Sequence, residues 1–101
     1  MARILREDAE RWLAPVPPDQ AFWSCDNRTF ASMSELADGL ASMDEETFAY
    51  HVNDAKNDFS NWARDVIGDQ KLSRDLAKSQ TTGQAVKKVA ERLNLLSSKL
   101  A

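Results

Sequence analysis

The chain has 101 residues, 43% of them hydrophobic and 29% charged, with a net charge of −3. That composition is globular and argues against a disordered chain, and the length suits one domain with one modest core. Three glycines and three prolines argue against a fold of many tight turns, and the lone Cys25 leaves no internal disulfide and no cysteine-type zinc site.

From the N-terminus, Leu5, Ala9, Trp12 and Leu13 recur at helical spacing over Arg3–Leu13. Ala14-Pro15 ends this helix, because the residue before proline avoids the helical region. Pro15-Val16-Pro17-Pro18 then predicts a stiff extended connector. Residues 21–31 predict a small β-hairpin. Aromatic and β-branched residues flank Asp26-Asn27, a pair that tolerates the positive φ of a tight turn. Such a hairpin is marginal alone and must lean on the helices.

Ser32-Met33-Ser34-Glu35 has the form of a capping box, so a helix follows that buries Met33, Leu36, Ala37, Leu40 and Met43. Asp44 caps the next helix, whose first turn carries Glu45 and Glu46 where the dipole favours acids. In that helix apolar residues fall at 48, 52, 55, 59, 62 and 66, spaced 4, 3, 4, 3, 4. The spacing predicts one apolar face. Unbroken from Glu45 to Ile67, the helix would run about 34 Å. Asn53, Asp54, Asn57 and Asp58 are poor interior helix residues, so Asn57 or Asp58 is the alternative cap of a fresh helix.

Gly68 terminates this stretch and Asp69 caps a short helix that buries Leu72, Leu76 and Ala77. Ser79-Gln80-Thr81-Thr82-Gly83 is a loop, and Thr81 with Gln84 forms a second capping box. The last helix buries Val86, Val89, Leu93, Leu96 and Leu100, with Lys87, Lys88, Arg92 and Lys99 in solvent. The expected fold is mainly α, about five helices in a compact bundle with one hairpin. The expected core is Phe22, Phe30, Leu36, Leu40, Phe48, Val52, Phe59, Trp62, Val66, Leu72, Leu76, Val89 and Leu93. Residues 1–101 form one domain: a helix and Pro-rich connector over 1–20, a core unit over 21–78 and an amphipathic helix over 83–100.

The order of these features is distinctive. Phe48-x-x-His51-Val52 and Asn57-Asp58-Phe59-x-x-Trp62 are its most specific parts, set between the hairpin and Leu76. Over residues 22–78 the chain resembles an uncharacterised family of archaea and bacteria catalogued only as a domain of unknown function. Asp26-Asn27 departs from it where a glycine would be usual, a mild change because asparagine tolerates the same backbone. The resemblance implies a small domain that stands alone or is appended to others, including some glycoside hydrolases and membrane-anchored proteins. It implies no catalytic residue.

The chemistry-bearing residues gather around His51, the only histidine. His51, Asp54, Asn57 and Asp58 form the candidate polar cluster. As a catalytic centre His51 would pair with Asp54 or Asp58 as an acid–base couple. The competing reading is a packed histidine that hydrogen-bonds a backbone group or a carboxylate, with Asn57 and Asp58 as caps, and it carries more weight. Ser24 and Ser60 sit in no nucleophile elbow. No His-x-x-x-His, Cys-x-x-Cys, calcium-loop, phosphate-loop or dinucleotide pattern occurs, so no metal or cofactor is expected.

Charge is uneven. Residues 1–67 hold 6 basic and 13 acidic side chains, net −7, and residues 68–101 hold 7 basic and 3 acidic, net +4. Attraction between the two parts within the fold is the expected outcome. Trp12, Trp23, Lys71, Arg74, Lys78, Lys87, Lys88 and Arg92 form the candidate interaction surface. No apolar run approaches the roughly 20 residues that span a bilayer. The first ten residues show no signal-peptide core, so a cytoplasmic location is expected, and Asn27-Arg28-Thr29 is read as a turn and not a glycosylation site. The leading functional expectation is a non-enzymatic protein-interaction or accessory domain with a protein partner. The last helix, with its heptad-like stripe, is the expected docking element. Behind it stand a small nucleic-acid binder using the basic C-terminal helices and an enzyme centred on His51. The acidic chain, pI about 5.1, and the lack of aromatic residues after Trp62 weigh against nucleic acid.

Overall fold

A computed structural model describes residues 4–100. Arg3, the expected first residue of the leading helix, lies outside them. The described residues form six α-helices and one antiparallel hairpin. The helices are α1 (Arg6–Leu13), α2 (Met33–Ala41), α3 (Glu45–His51), α4 (Asp58–Trp62), α5 (Gln70–Ala77) and α6 (Thr82–Ser98); the strands are β1 (Phe22–Trp23) and β2 (Thr29–Phe30). The mainly α expectation holds, and the sixth helix arises where the long central segment breaks.

Local chemistry starts nearly every helix. The side chains of Ser32, Asp44, Asn57, Asp69 and Thr81 each accept the amide three residues on, at 2.8 to 3.2 Å. These bonds satisfy donors that a helix start leaves open. In both expected capping boxes the returning arm reaches one residue further back than expected. Glu35 accepts the Ala31 amide at 3.1 Å, and Gln84 accepts the Gln80 amide at 2.8 Å.

The central segment is not one helix. α3 ends at His51, and Val52 and Asn57 pair across an isolated antiparallel bridge. Asn53 Oδ1 accepts the Ala55 and Lys56 amides at 2.8 and 3.2 Å, so its side chain holds the turn that the helix would need to erase. Ala55, expected on the apolar stripe, is exposed in this turn. α4 restarts at Asp58 and widens into a π-helical turn over Ala63–Ile67, in which the Gly68 amide bonds the Ala63 carbonyl at 2.8 Å. The wider turn alters which side chains face inward. Ala63 and Ile67 are buried, while Val66, expected in the core, is only half-buried. Gly68 closes the turn at φ 87°, a left-handed value suited to glycine.

One continuous core runs from Ala9 to Leu96. Phe22 stacks on Phe59 with ring centroids 4.8 Å apart, and Phe48 stacks on the same ring at 5.6 Å. Met33, Met43 and Leu96 are buried as expected and Ala85 is buried beside them, while Val52, Leu93, Ala37, Val86 and Leu100, also expected to be buried, are half-buried. On α5 the buried third residue is Ser73 and not Ala77, which is exposed. Ser73 and Ser60 exchange hydrogen bonds, each hydroxyl donating to the other's carbonyl at 2.9 and 2.8 Å. That double bond locks α4 to α5 where the spacing predicts an apolar face.

α6 packs on α2, α5 and α1, so its stripe faces the home core. α1 is likewise docked, although Leu5 precedes it in an exposed position. The hairpin is tied to α2 through Arg28, which donates to Ser42 Oγ at 2.7 Å and to the Gly39 carbonyl at 3.2 Å. At Gly39 a β-carbon would overlap the buried Phe30 ring. Gly39→Ala is therefore expected to destabilise the fold by about 1–3 kcal/mol, against the helix-propensity gain, as read by urea denaturation. No helix among the described residues is long and apolar enough to cross a membrane.

Candidate functional site

The end of α3 brings His51 under the hairpin. The ring is 3% exposed and packs edge-on against Phe22 at 5.1 Å and obliquely against Phe59 at 5.5 Å. Its Nε2 accepts the Cys25 backbone amide at 3.1 Å, and its Nδ1 lies 2.9 Å from Asp58 Oδ2. An acceptor role at Nε2 places the proton on Nδ1, where it is donated to the carboxylate. Both ring nitrogens thus have partners within the fold. His51 and Asp58 meet because the chain reverses at residues 53–56, not because they share a helix face.

Asp58 Oδ2 also receives Lys56 Nζ at 2.9 Å. Partial burial pushes this carboxyl up, but hydrogen bonds from His51 and Lys56 outweigh that and hold it below the usual carboxylate range. The sign follows. A carboxyl depressed in the folded state stabilises the fold above its unfolded pKa of about 3.9, and the contribution fades as pH falls through the folded value. Asp58→Asn is expected to flatten the decline of stability below about pH 4, measured by urea denaturation across acid pH. An unchanged slope would remove Asp58 as a contributor.

The expected polar cluster is divided. His51 and Asp58 border one surface cleft of about 400 Å³, together with Ala21, Phe22, Trp23, Tyr50, Lys56 and Trp62. Asp54 and Asn57 border a different, polar depression of about 610 Å³ between the 52–57 turn and residues 77–80. Asp54 is exposed. Asn57 is accounted for structurally: it caps α4 and its Nδ2 donates to the Leu76 carbonyl at 2.8 Å. Among the described residues no group of three or more His, Cys, Asp or Glu side chains is placed to hold a metal ion.

The cleft is walled by aromatics. Trp23 is 57% exposed and Tyr50 56%, and both line it. Lys56 Nζ lies 5.0 Å from the Tyr50 ring centroid, so one ammonium serves both the ring and Asp58. Trp62 closes the floor with its indole nitrogen on the Gln20 carbonyl at 2.9 Å. Sequence reasoning does not reach Tyr50 and Lys56 as site residues. The signal for Tyr50 is an aromatic lying off the apolar stripe, which needs a reason to be exposed.

The expected interaction surface also divides. Trp12 is half-buried, with its ring under the Arg92 guanidinium at 5.3 Å. Arg92 is 8% exposed and bonds Asp69 through two nitrogens at 2.7 and 2.8 Å, so it is a core residue and not a solvent-facing one. Lys71 is held by Asp75 at 2.7 Å, and Lys88 lies 3.9 Å from Glu91. Arg74, Lys78 and Lys87 are exposed. Among the described residues no salt bridge joins the acidic residues 1–67 to the basic residues 68–101, contrary to the expected attraction; every pair forms within its own part. What joins the two parts is apolar packing of α6 on α1 and α2, with the Ser60–Ser73 and Asn57–Leu76 hydrogen bonds and the Arg92 guanidinium over the Trp12 ring. Comparison of the chain with family models, curated proteins and solved structures finds no match.

Proposed function

We propose that the chain is a non-enzymatic protein-interaction domain whose contact surface is the Trp23–Tyr50 cleft. The observation that carries this reading is the exposure of two large aromatic side chains on the walls of one depression. Aromatic anchors beside a depression are the usual energetic centre of a protein contact. His51 supports the same reading from the floor. Its nitrogens already bond Cys25 and Asp58, so the ring shapes β1 and α3 and has no nitrogen free for a reacting group.

The test is site-specific photocrosslinking. A photoreactive phenylalanine analogue at Trp23, introduced in the native host, is expected to trap one identifiable polypeptide. The same label at exposed Ser97 on α6 is expected to trap none, and Tyr50→Ala is expected to abolish the Trp23 adduct. Adducts that are equal at both positions, or none at Trp23, would remove the cleft as the contact surface.

A further inference from the structure

We infer that His51 is a pH-sensitive latch on the hairpin, whatever occupies the Trp23–Tyr50 cleft: the neutral ring holds the turn at Cys25 against α3, and a second proton on Nε2 releases it. A backbone amide can only donate, so the Cys25 N–H at 3.1 Å requires a bare Nε2 and a neutral imidazole with its proton on Nδ1. That proton is directed at Asp58 Oδ2, 2.9 Å away. A doubly protonated ring has two donors and no acceptor. Its Nε2–H would face the Cys25 N–H, donor against donor. The ring is 3% exposed, so neither group reaches water unless the turn moves.

The turn hangs on that one bond. Among the described residues, Cys25 to His51 is the only hydrogen bond that leaves residues 24–27 for another element. The Ser24 amide bonds the Arg28 carbonyl, the Asn27 amide bonds the Ser24 carbonyl, and Asp26 pairs with Arg28, all within the hairpin. The tie to α2 starts at Arg28, and Asp26 and Asn27 are exposed, so the turn can lift from α3 while the other anchor stays. The charges around the ring do not replace the lost bond. From α4 comes Asp58, whose Oδ2 already takes Lys56 Nζ from the 53–56 turn at 2.9 Å, so its charge is countered before an imidazolium forms. From the hairpin come Cys25 and the Asp26–Arg28 pair, closed on itself at 2.9 Å. α3 itself adds Tyr50, edge-on at 5.0 Å. Phe22 and Phe59, which the ring packs against, carry no charge.

The experiment is NMR of the whole chain between about pH 8 and pH 5, the range in which imidazole side chains change charge. Asp58, held below the usual carboxylate range, stays ionised throughout it. Two signals are followed: the ring nitrogens of His51, and the hydrogen-exchange protection of the Cys25 amide, corrected for the intrinsic pH dependence of exchange. At the alkaline end the ring is expected to carry its proton on Nδ1. As it takes a second proton, protection of Cys25 is expected to fall about tenfold or more, while the Leu36 and Leu40 amides of α2 keep theirs. His51→Gln offers a carbonyl acceptor that does not titrate, so its Cys25 protection is expected to be the same at both ends of the range; the parent chain carries the test where that variant does not fold. A proton on Nε2 at the alkaline end, a ring that stays neutral to the acid end, or unchanged Cys25 protection as the ring titrates would overturn the inference. So would an equal loss at Leu36 and Leu40, which is unfolding of the whole domain. A pH-dependent loss at Cys25 that persists in His51→Gln would assign it to another group and overturn it as well.

Discussion

Arg92→Met is expected to lower the unfolding free energy by about 3–5 kcal/mol, because it leaves Asp69 as a buried charge without its partner. Asp69 is fully buried and accepts both guanidinium bonds while also capping α5 through the Leu72 amide. In a domain of this size a loss of that order shifts the melting point by roughly 15 °C or more. The pair itself need not be strongly stabilising, since burying two charges costs much of what their attraction returns. The double variant Asp69→Asn with Arg92→Met separates these terms. Asparagine keeps the capping oxygen and removes the charge, so the double variant is expected to recover most of the loss. Urea denaturation of the three proteins checks both statements. A cost below about 1 kcal/mol for Arg92→Met would mean that water reaches Asp69 and that the clamp is not dry.

Phe59→Ala carries the second large effect, also about 3–5 kcal/mol, from lost transfer energy and the cavity left behind. The ring is 1% exposed and sits between Phe22 and Phe48, with His51 at 5.5 Å. Phe59→Leu is expected to cost less because it leaves a smaller void. The alanine variant is also expected to loosen His51, since Phe22 and Phe59 are the faces the imidazole packs against. That loosening is read as faster hydrogen exchange of the Cys25 amide. Unchanged exchange in Phe59→Ala would show that the His51–Cys25 bond holds by itself.

Several features of the site are legible in the residues alone. Asn57 announces a helix start because asparagine accepts a nearby amide more readily than it sits inside a helix. Trp23 lies at the hairpin with no helical stripe to absorb it, and it is exposed. The favoured reading of His51 is a packing residue bonded to a backbone group or a carboxylate, and both kinds of partner are present. The exposure of Tyr50 and the role of Lys56 are not legible, because they depend on where α3 ends and how the turn after it folds. Arg92 escapes for the same kind of reason: a helical wheel places arginine by polarity, and polarity does not reveal a buried aspartate 23 positions away.

By itself, then, the chain's sequence determined what acts within about four residues: five capped helix starts, the proline-terminated α1, the left-handed Gly68 and the Asn27 turn at φ 71°. Those interactions are local, so residue type and spacing suffice to specify them. Tertiary structure alone decided the rest. It buried Ile67 in place of Val66, drew Arg92 onto Asp69, set His51 against an amide 26 positions away and left Trp23 and Tyr50 facing one cleft. The reason is that burial and partner choice depend on which faces meet in space, and periodicity along a chain carries no record of that meeting.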